Sequence, residues 1–158
     1  MKTAPNTEFR YSILRISGKY FGIEVQHVRE VCLFPVITKV PNVHESILGV
    51  FNLRGQIVSV IDIHKIMNLP DQKITDDNFV VIIESKDITL GFVVEKVLDV
   101  LAVDSTKINV PTRDMSLNIV QYCNGYYTHK KLGDVFLLDM EALFEAREIG
   151  GYSYTLGA

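Results

Sequence analysis

The sequence repeats itself, and that limits what it can fold into. Tyr20-Phe-Gly-Ile-Glu-Val-Gln-His-Val-Arg-Glu-Val31 matches Thr89-Leu-Gly-Phe-Val-Val-Glu-Lys-Val-Leu-Asp-Val100 position by position. The shared pattern is Gly, apolar, any, Val, any, any, Val, any, acid, Val. Gly22 and Gly91 lie 69 residues apart, Val40-Pro41 and Val110-Pro111 lie 70 apart, and Asp62 and Asp139 lie 77 apart. The last pair sits in matching segments, Val60-Ile-Asp-Ile-His-Lys-Ile-Met67 and Leu137-Leu-Asp-Met-Glu-Ala-Leu-Phe144. Three landmarks in one order at nearly one interval mark an internal duplication. A unit of about 70 residues hides only about 60% of its unfolded surface and is marginal alone. Two fused copies can share a core, and the continuous apolar runs point to one.

Each copy is rich in strand signals. Runs of Val, Ile, Phe and Tyr are broken by Gly, Pro, Asn and Asp. Strands are predicted at 9–17, 20–25, 56–63, 79–85, 88–94 and 133–139, with tight reversals at Gly18-Lys19 and Lys86-Asp87. Helices are few. Asn42-Val-His-Glu45 has capping-box spacing and predicts a turn or two towards Leu48. A further turn is predicted at His64–Asn68, and the best helix at Met140–Glu148. The segment 93–103 fits a helical stripe but is too β-branched, so a kinked strand is expected. The organisation read from this is one domain over 1–158. Copy one covers about 9–70, a polar connection 69–78, copy two 79–149, and a loose tail 150–158. Two small barrels related by a pseudo-twofold are expected.

Composition excludes several classes. Sixteen Lys+Arg against 19 Asp+Glu give a net charge of −3, the wrong sign for a chain that neutralises phosphate backbones. No apolar run approaches the roughly 20 residues of a spanning helix, and the N-terminus shows no signal sequence. Cys32 and Cys123 lie far apart, which reads as reduced thiols of a cytoplasmic protein.

Catalytic patterns are missing. The sequence has no Gly-x-Ser-x-Gly elbow, P-loop or GxGxxG, and the four histidines never pair at metal-binding spacing. No enzyme activity, cofactor or metal is expected. Asp62 and Asp139 read as equivalent helix caps, Glu45 as part of a cap, and His64 as an exposed neighbour of Asp62. Arg54 is harder to place. Asn52-Leu-Arg-Gly55 marks a tight turn feeding a strand, and copy two has no arginine at the equivalent turn near Lys131-Leu132-Gly133. Such an arginine either pairs locally or reaches for a partner's carboxylate.

Gly49-Val-Phe-Asn-Leu-Arg-Gly-Gln-Ile-Val-Ser-Val-Ile-Asp-Ile63 resembles the signature segment of the CheW-like family of bacterial chemotaxis coupling proteins. Residues 21–31, 91–100 and 132–139 resemble its remaining motifs, so the likeness covers about Phe9 to Phe144. Two departures stand out: Ser59 replaces a usual proline, expected to loosen that strand, and the Tyr126–Leu132 loop looks long.

The resemblance implies two five-stranded, SH3-like barrels on a shared core. It also implies a non-catalytic adaptor that bridges transmembrane chemoreceptors to the regulatory domain of a CheA-type histidine kinase. With no receiver segment after copy two, a stand-alone adaptor is expected, either in chemotaxis or in a related pilus-based system. A small β-barrel enzyme or ligand-binding domain is the competing class. By resemblance, Arg54 faces the receptor and pairs with Glu30, with Gly49 and Asn52 in the same signature segment. The repeat places Val28 and Val97 at equivalent positions near the seam between barrels. Val28, Leu48, Val94 and Val97 are therefore candidate lining for a receptor's helical hairpin, or else shared core. The kinase is then expected at a barrel end.

Overall fold

A computed structural model describes residues 7–71 and 73–146. The apolar runs become ten strands, β1 (Glu8–Ile16), β2 (Lys19–Glu24), β3 (Val28–Leu33), β4 (Ile47–Leu53), β5 (Gln56–Ile61), β6 (Phe79–Ser85), β7 (Ile88–Val94), β8 (Lys96–Asp104), β9 (Cys123–His129) and β10 (Gly133–Leu138). Three short helices join them, α1 (Ile63–Ile66), α2 (Leu117–Tyr122) and α3 (Met140–Phe144). The strands form two five-stranded sheets, ordered β8-β1-β2-β10-β9 and β3-β6-β7-β5-β4.

Neither sheet belongs to one copy of the repeat. The β1–β2 hairpin of copy one joins β8, β9 and β10 of copy two, and the β6–β7 hairpin of copy two joins β3, β4 and β5 of copy one. The exchange keeps the register. Ile13 pairs with Gly22 as Ile82 pairs with Gly91. Leu14 pairs with Val97 as Ile83 pairs with Val28. The chain changes sheet through a single 3₁₀ turn at Val25–His27 in copy one and a bend at Glu95 in copy two. This bend splits the segment expected as one kinked strand into β7 and β8.

Three apolar clusters explain why the runs are continuous rather than alternating. Tyr11, Ile13, Val103, Val135 and Leu137 fill the first sheet, and Val58, Val60, Val80, Ile82 and Val93 fill the second. Between the sheets lies the largest cluster, with Leu14, Ile16, Phe21, Val81, Phe92 and Leu143 among its members. Central strands such as β6 thus bury both faces, so no polar alternation survives. Fully burying one such side chain is worth about 1.5–3 kcal/mol.

Each sheet closes on itself by one bridge. Thr38 and Val50 exchange backbone bonds of 2.8 and 2.9 Å, as do Asn109 and Tyr126. A glycine stands beside each bridge. A Cβ on Gly49 would strike the Thr38 carbonyl oxygen, and one on Gly125 would come within 2.6 Å of Ile108 Cγ2.

Several local expectations are corrected. Residues 42–45 form turns, not a helix, because Asn42 takes φ 60° and β4 begins at Ile47. Among the described residues Glu45 caps no helix and instead stands 3.8 Å from Lys65. His64 is buried, not exposed. Its Nδ1 lies 2.8 Å from Asp62 Oδ1, and its Nε2 has no hydrogen-bond partner among the described residues. Asp62 and Asp139 do cap α1 and α3, accepting from His64 N and Ala142 N. Ser59 does not loosen its strand, since it is paired on both sides, with Val50 and Leu90. The supposed long loop at 126–132 is mostly β9, with a turn at 130–132. The helix expected at Met140–Glu148 ends at Phe144 with Glu145 as its C-cap, while residues 147–148 and the tail at 150–158 fall outside the described residues.

Candidate functional site

The β4–β5 turn is built to hold one arginine outward. Arg54 and Gly55 take φ 50° and 89°, the mirror-image two-residue turn that suits the twist of a hairpin. The Gly55 amide donates to Asn52 Oδ1 at 2.7 Å and braces the turn. Arg54 Nη1 donates to Glu30 Oε2 at 2.6 Å, and Arg29 Nη1 donates to Gln56 Oε1 at 2.8 Å. These two clasps join β3, one edge of its sheet, to the hairpin of the opposite edge.

Magnitudes decide what Arg54 is for. Its side chain is 71% exposed and that of Glu30 is 23% exposed, so the pair is worth about 0–1 kcal/mol. A residue with a Cβ in the left-handed region costs roughly 1–2 kcal/mol where glycine or asparagine would cost less. The clasp does not repay the strain in stability. Arg54 offers an exposed guanidinium, held in place by Glu30, that can donate to a carboxylate or carbonyl from outside.

The equivalent turn of the other sheet is different. Glu30 corresponds to Asp99, and Arg54 to the exposed turn Lys130–Leu132 before Gly133. That turn satisfies itself: His129 Nδ1 accepts from the amides of Lys131 and Leu132 at 3.1 and 3.2 Å. Thr128 Oγ1 donates to Asp134 Oδ1 at 2.8 Å. Among the described residues, no ion pair joins Asp99 to it.

The residue pattern of the CheW-like domain matches residues 10–148. The chain belongs to the CheW-like domain family. The chemotaxis protein CheW of Bacillus subtilis is 38% identical over 96 residues, which spans 61% of this chain and just under two thirds of that one, 62%. CheW of Treponema pallidum is 23% identical over 146 residues, covering 90% of this chain and 85% of its own. The scaffolding protein TtCheW of Thermoanaerobacter tengcongensis has the same fold, with a TM-score of 0.79 at 24% identity over 90% of this chain and 96% of its own.

Within this CheW-like fold the eight candidate residues divide. Glu30, Asn52 and Arg54 converge on the β4–β5 turn. Gly49 is a backbone residue, required where Thr38 approaches. Val28 and Val97 are half-buried and pack on the cluster between the sheets, as the pseudo-twofold demands. Val94 packs there too but is 0% exposed, so it lines no open surface. Leu48 is displaced from the seam: it packs on the cluster inside the second sheet. Arg29 and Gln56 were not legible as partners, because the closure that brings them together spans 27 residues.

The thiols and metal-ligating groups complete the chemistry. Both cysteines are free. Burial, and secondarily Asp139, pushes Cys123 up to about 12, and burial followed by Glu30 raises Cys32. Among the described residues no three His, Cys, Asp or Glu side chains gather to hold a metal ion, and no helix is long and apolar enough to cross a membrane.

Proposed function

We propose that this protein is a non-catalytic adaptor of bacterial chemotaxis signalling, coupling the cytoplasmic tips of transmembrane chemoreceptors to a CheA-type histidine kinase. It works in the cytoplasm, recruited to receptor arrays, without cofactor or metal. The observation that carries this reading is Arg54: exposed, strained, held by Glu30, and without a counterpart in the otherwise register-matched first sheet. Membership of a family whose relatives are chemotaxis proteins supplies the context.

The receptor is assigned to the Glu30–Arg54 turn and the neighbouring seam, where Val28 and Val97 offer half-buried apolar surface to a helical hairpin. The kinase regulatory domain is assigned to a barrel end. The test is a pull-down of tagged protein from native cytoplasm and membranes. Joint recovery of a histidine kinase and chemoreceptors is expected. Recovery of neither, or a turnover activity that scales with the purified protein, would overturn the assignment.

A further inference from the structure

β3 carries an extra residue. Val28 pairs with Ile83 and Glu30 with Ile82 of β6, which leaves Arg29 as the added residue of a β-bulge. The duplication repeats the bulge in β8. There Val97 pairs with Leu14 and Val100 with Ser12, so three steps along β8 face two along β1. On a regular strand successive side chains leave opposite faces, and a bulge re-aims them. At the β3 bulge, two neighbouring residues grip one hairpin. Glu30 accepts from Arg54 in the turn, and Arg29 Nη1 donates to Gln56 Oε1 at 2.8 Å just past it.

Copy two has the bulge without the grip. Leu98 stands where copy one has Arg29, and it packs on the apolar cluster inside its own sheet. Gly133 stands where copy one has Gln56 and has no side chain to offer. Both members of the pair are thus absent from the copy that also lacks the arginine in its turn. The bulge belongs to the shared architecture, and the Arg29–Gln56 pair is an addition to it.

We propose that Arg29 and Gln56 are positioning residues for Arg54, fixing the turn so that its guanidinium is already aimed when a partner's carboxylate or carbonyl arrives. The Glu30 clasp joins Arg54 Nη1 to Glu30 Oε2 at the tip of a two-residue turn. A hairpin held at its tip alone can swing about that bond. The second clasp falls on Gln56, which pairs with Leu53 at the end of the β4–β5 ladder. Held at tip and base, the turn is ordered on folding and does not have to be ordered on binding. Arg29, Arg54 and Gln56 are all exposed, so the pair adds little to stability and acts on recognition. Its role in recognition rests on the receptor reading of Arg54, whereas the held turn is a property of the free protein.

In the full-length protein without a partner, the heteronuclear NOE of the Arg54 and Gly55 amides is expected to fall in Arg29→Ala and in Gln56→Leu. Arg29→Lys keeps a donor for Gln56 and is expected to stay near the parent value. The Lys131 and Leu132 amides of the equivalent turn, and the urea midpoint, are expected to be unchanged. Sedimentation with receptor-bearing membranes is expected to weaken severalfold in Arg29→Ala and Gln56→Leu. Neither is expected to add a further loss in an Arg54→Ala background. Unchanged NOE values would overturn the proposal. So would a sedimentation loss that persists undiminished in the Arg54→Ala background, which would make Arg29 a direct contact. Arg54→Ala sedimenting like the parent would overturn the receptor reading alone, and the NOE values would then decide whether the pair holds the turn.

Discussion

The β4–β5 and β9–β10 turns occupy equivalent places in two sheets whose registers match residue for residue, yet only the first presents an arginine. The comparison separates two demands on a duplicated chain. Positions that set strand pairing and core volume are kept in both copies: Gly22 and Gly91 each allow a neighbouring strand to approach closely, and Asp62 and Asp139 each cap a helix. The turns at the ends of the sheets are released from that demand, and there the copies diverge. One end is braced by Glu30–Arg54 and Arg29–Gln56; the other is capped by its own His129.

The largest expected difference between the halves is in closure. Gly49→Ala puts a Cβ against a backbone carbonyl at a left-handed φ and is expected to cost about 3 kcal/mol. Gly125→Ala is opposed mainly by a side-chain methyl and is expected to cost about 1–2 kcal/mol. Urea unfolding midpoints compare them directly. Equal costs would mean that the two closures are mechanically alike.

Core chemistry offers a second contrast. Tyr11 lies inside the first sheet where its repeat counterpart, Val80, lies inside the second. Burial, and secondarily Glu24, pushes the Tyr11 phenol up to about 12. Folding therefore favours its neutral form. The stability it contributes is complete below the ordinary tyrosine value near 10 and is lost as pH climbs towards about 12. Unfolding measured through this alkaline window is expected to show a downward slope that Tyr11→Phe reduces.

The smallest effect on stability is expected at the arginine. Arg54→Gly removes left-handed strain together with an exposed ion pair, so the unfolding free energy is expected to stay within about 1 kcal/mol of the parent. A loss well beyond that would make Arg54 a structural residue and remove the main asymmetry between the sheets.

Strands buried on both faces were the most legible. β6 and β7 take the bounds read from the sequence, 79–85 and 88–94, because the continuous apolar runs Val80–Ile83 and Leu90–Val94 are buried in two clusters. β9 was obscured by the loop read at Tyr126–Leu132; within the strand, Gly125 lets Asn109 approach. Residues 42–45 carry the spacing of a helix cap, and tertiary pairing at Thr38–Val50 overrides it. The exchange of hairpins was not legible at all. Sequence period specifies which segments become strands, whereas the partner copy is chosen by the short connections at Val25–His27 and Glu95. At the site, Glu30 and Arg54 were found as a pair through resemblance, while Arg29–Gln56 needed the closed sheet to be seen.

The proposed function turns on whether receptor binding depends on the turn that bears the arginine. Sedimentation with receptor-bearing membranes and the kinase, comparing Arg54→Ala with Asp99→Ala, tests that directly. Arg54→Ala is expected to lose about tenfold or more in receptor association, the cost of one charge-assisted hydrogen bond of about 1.5–3 kcal/mol, with its fold intact. Asp99→Ala is expected to sediment like the unaltered protein. Equal losses from both variants, or a loss confined to Asp99→Ala, would contradict the account.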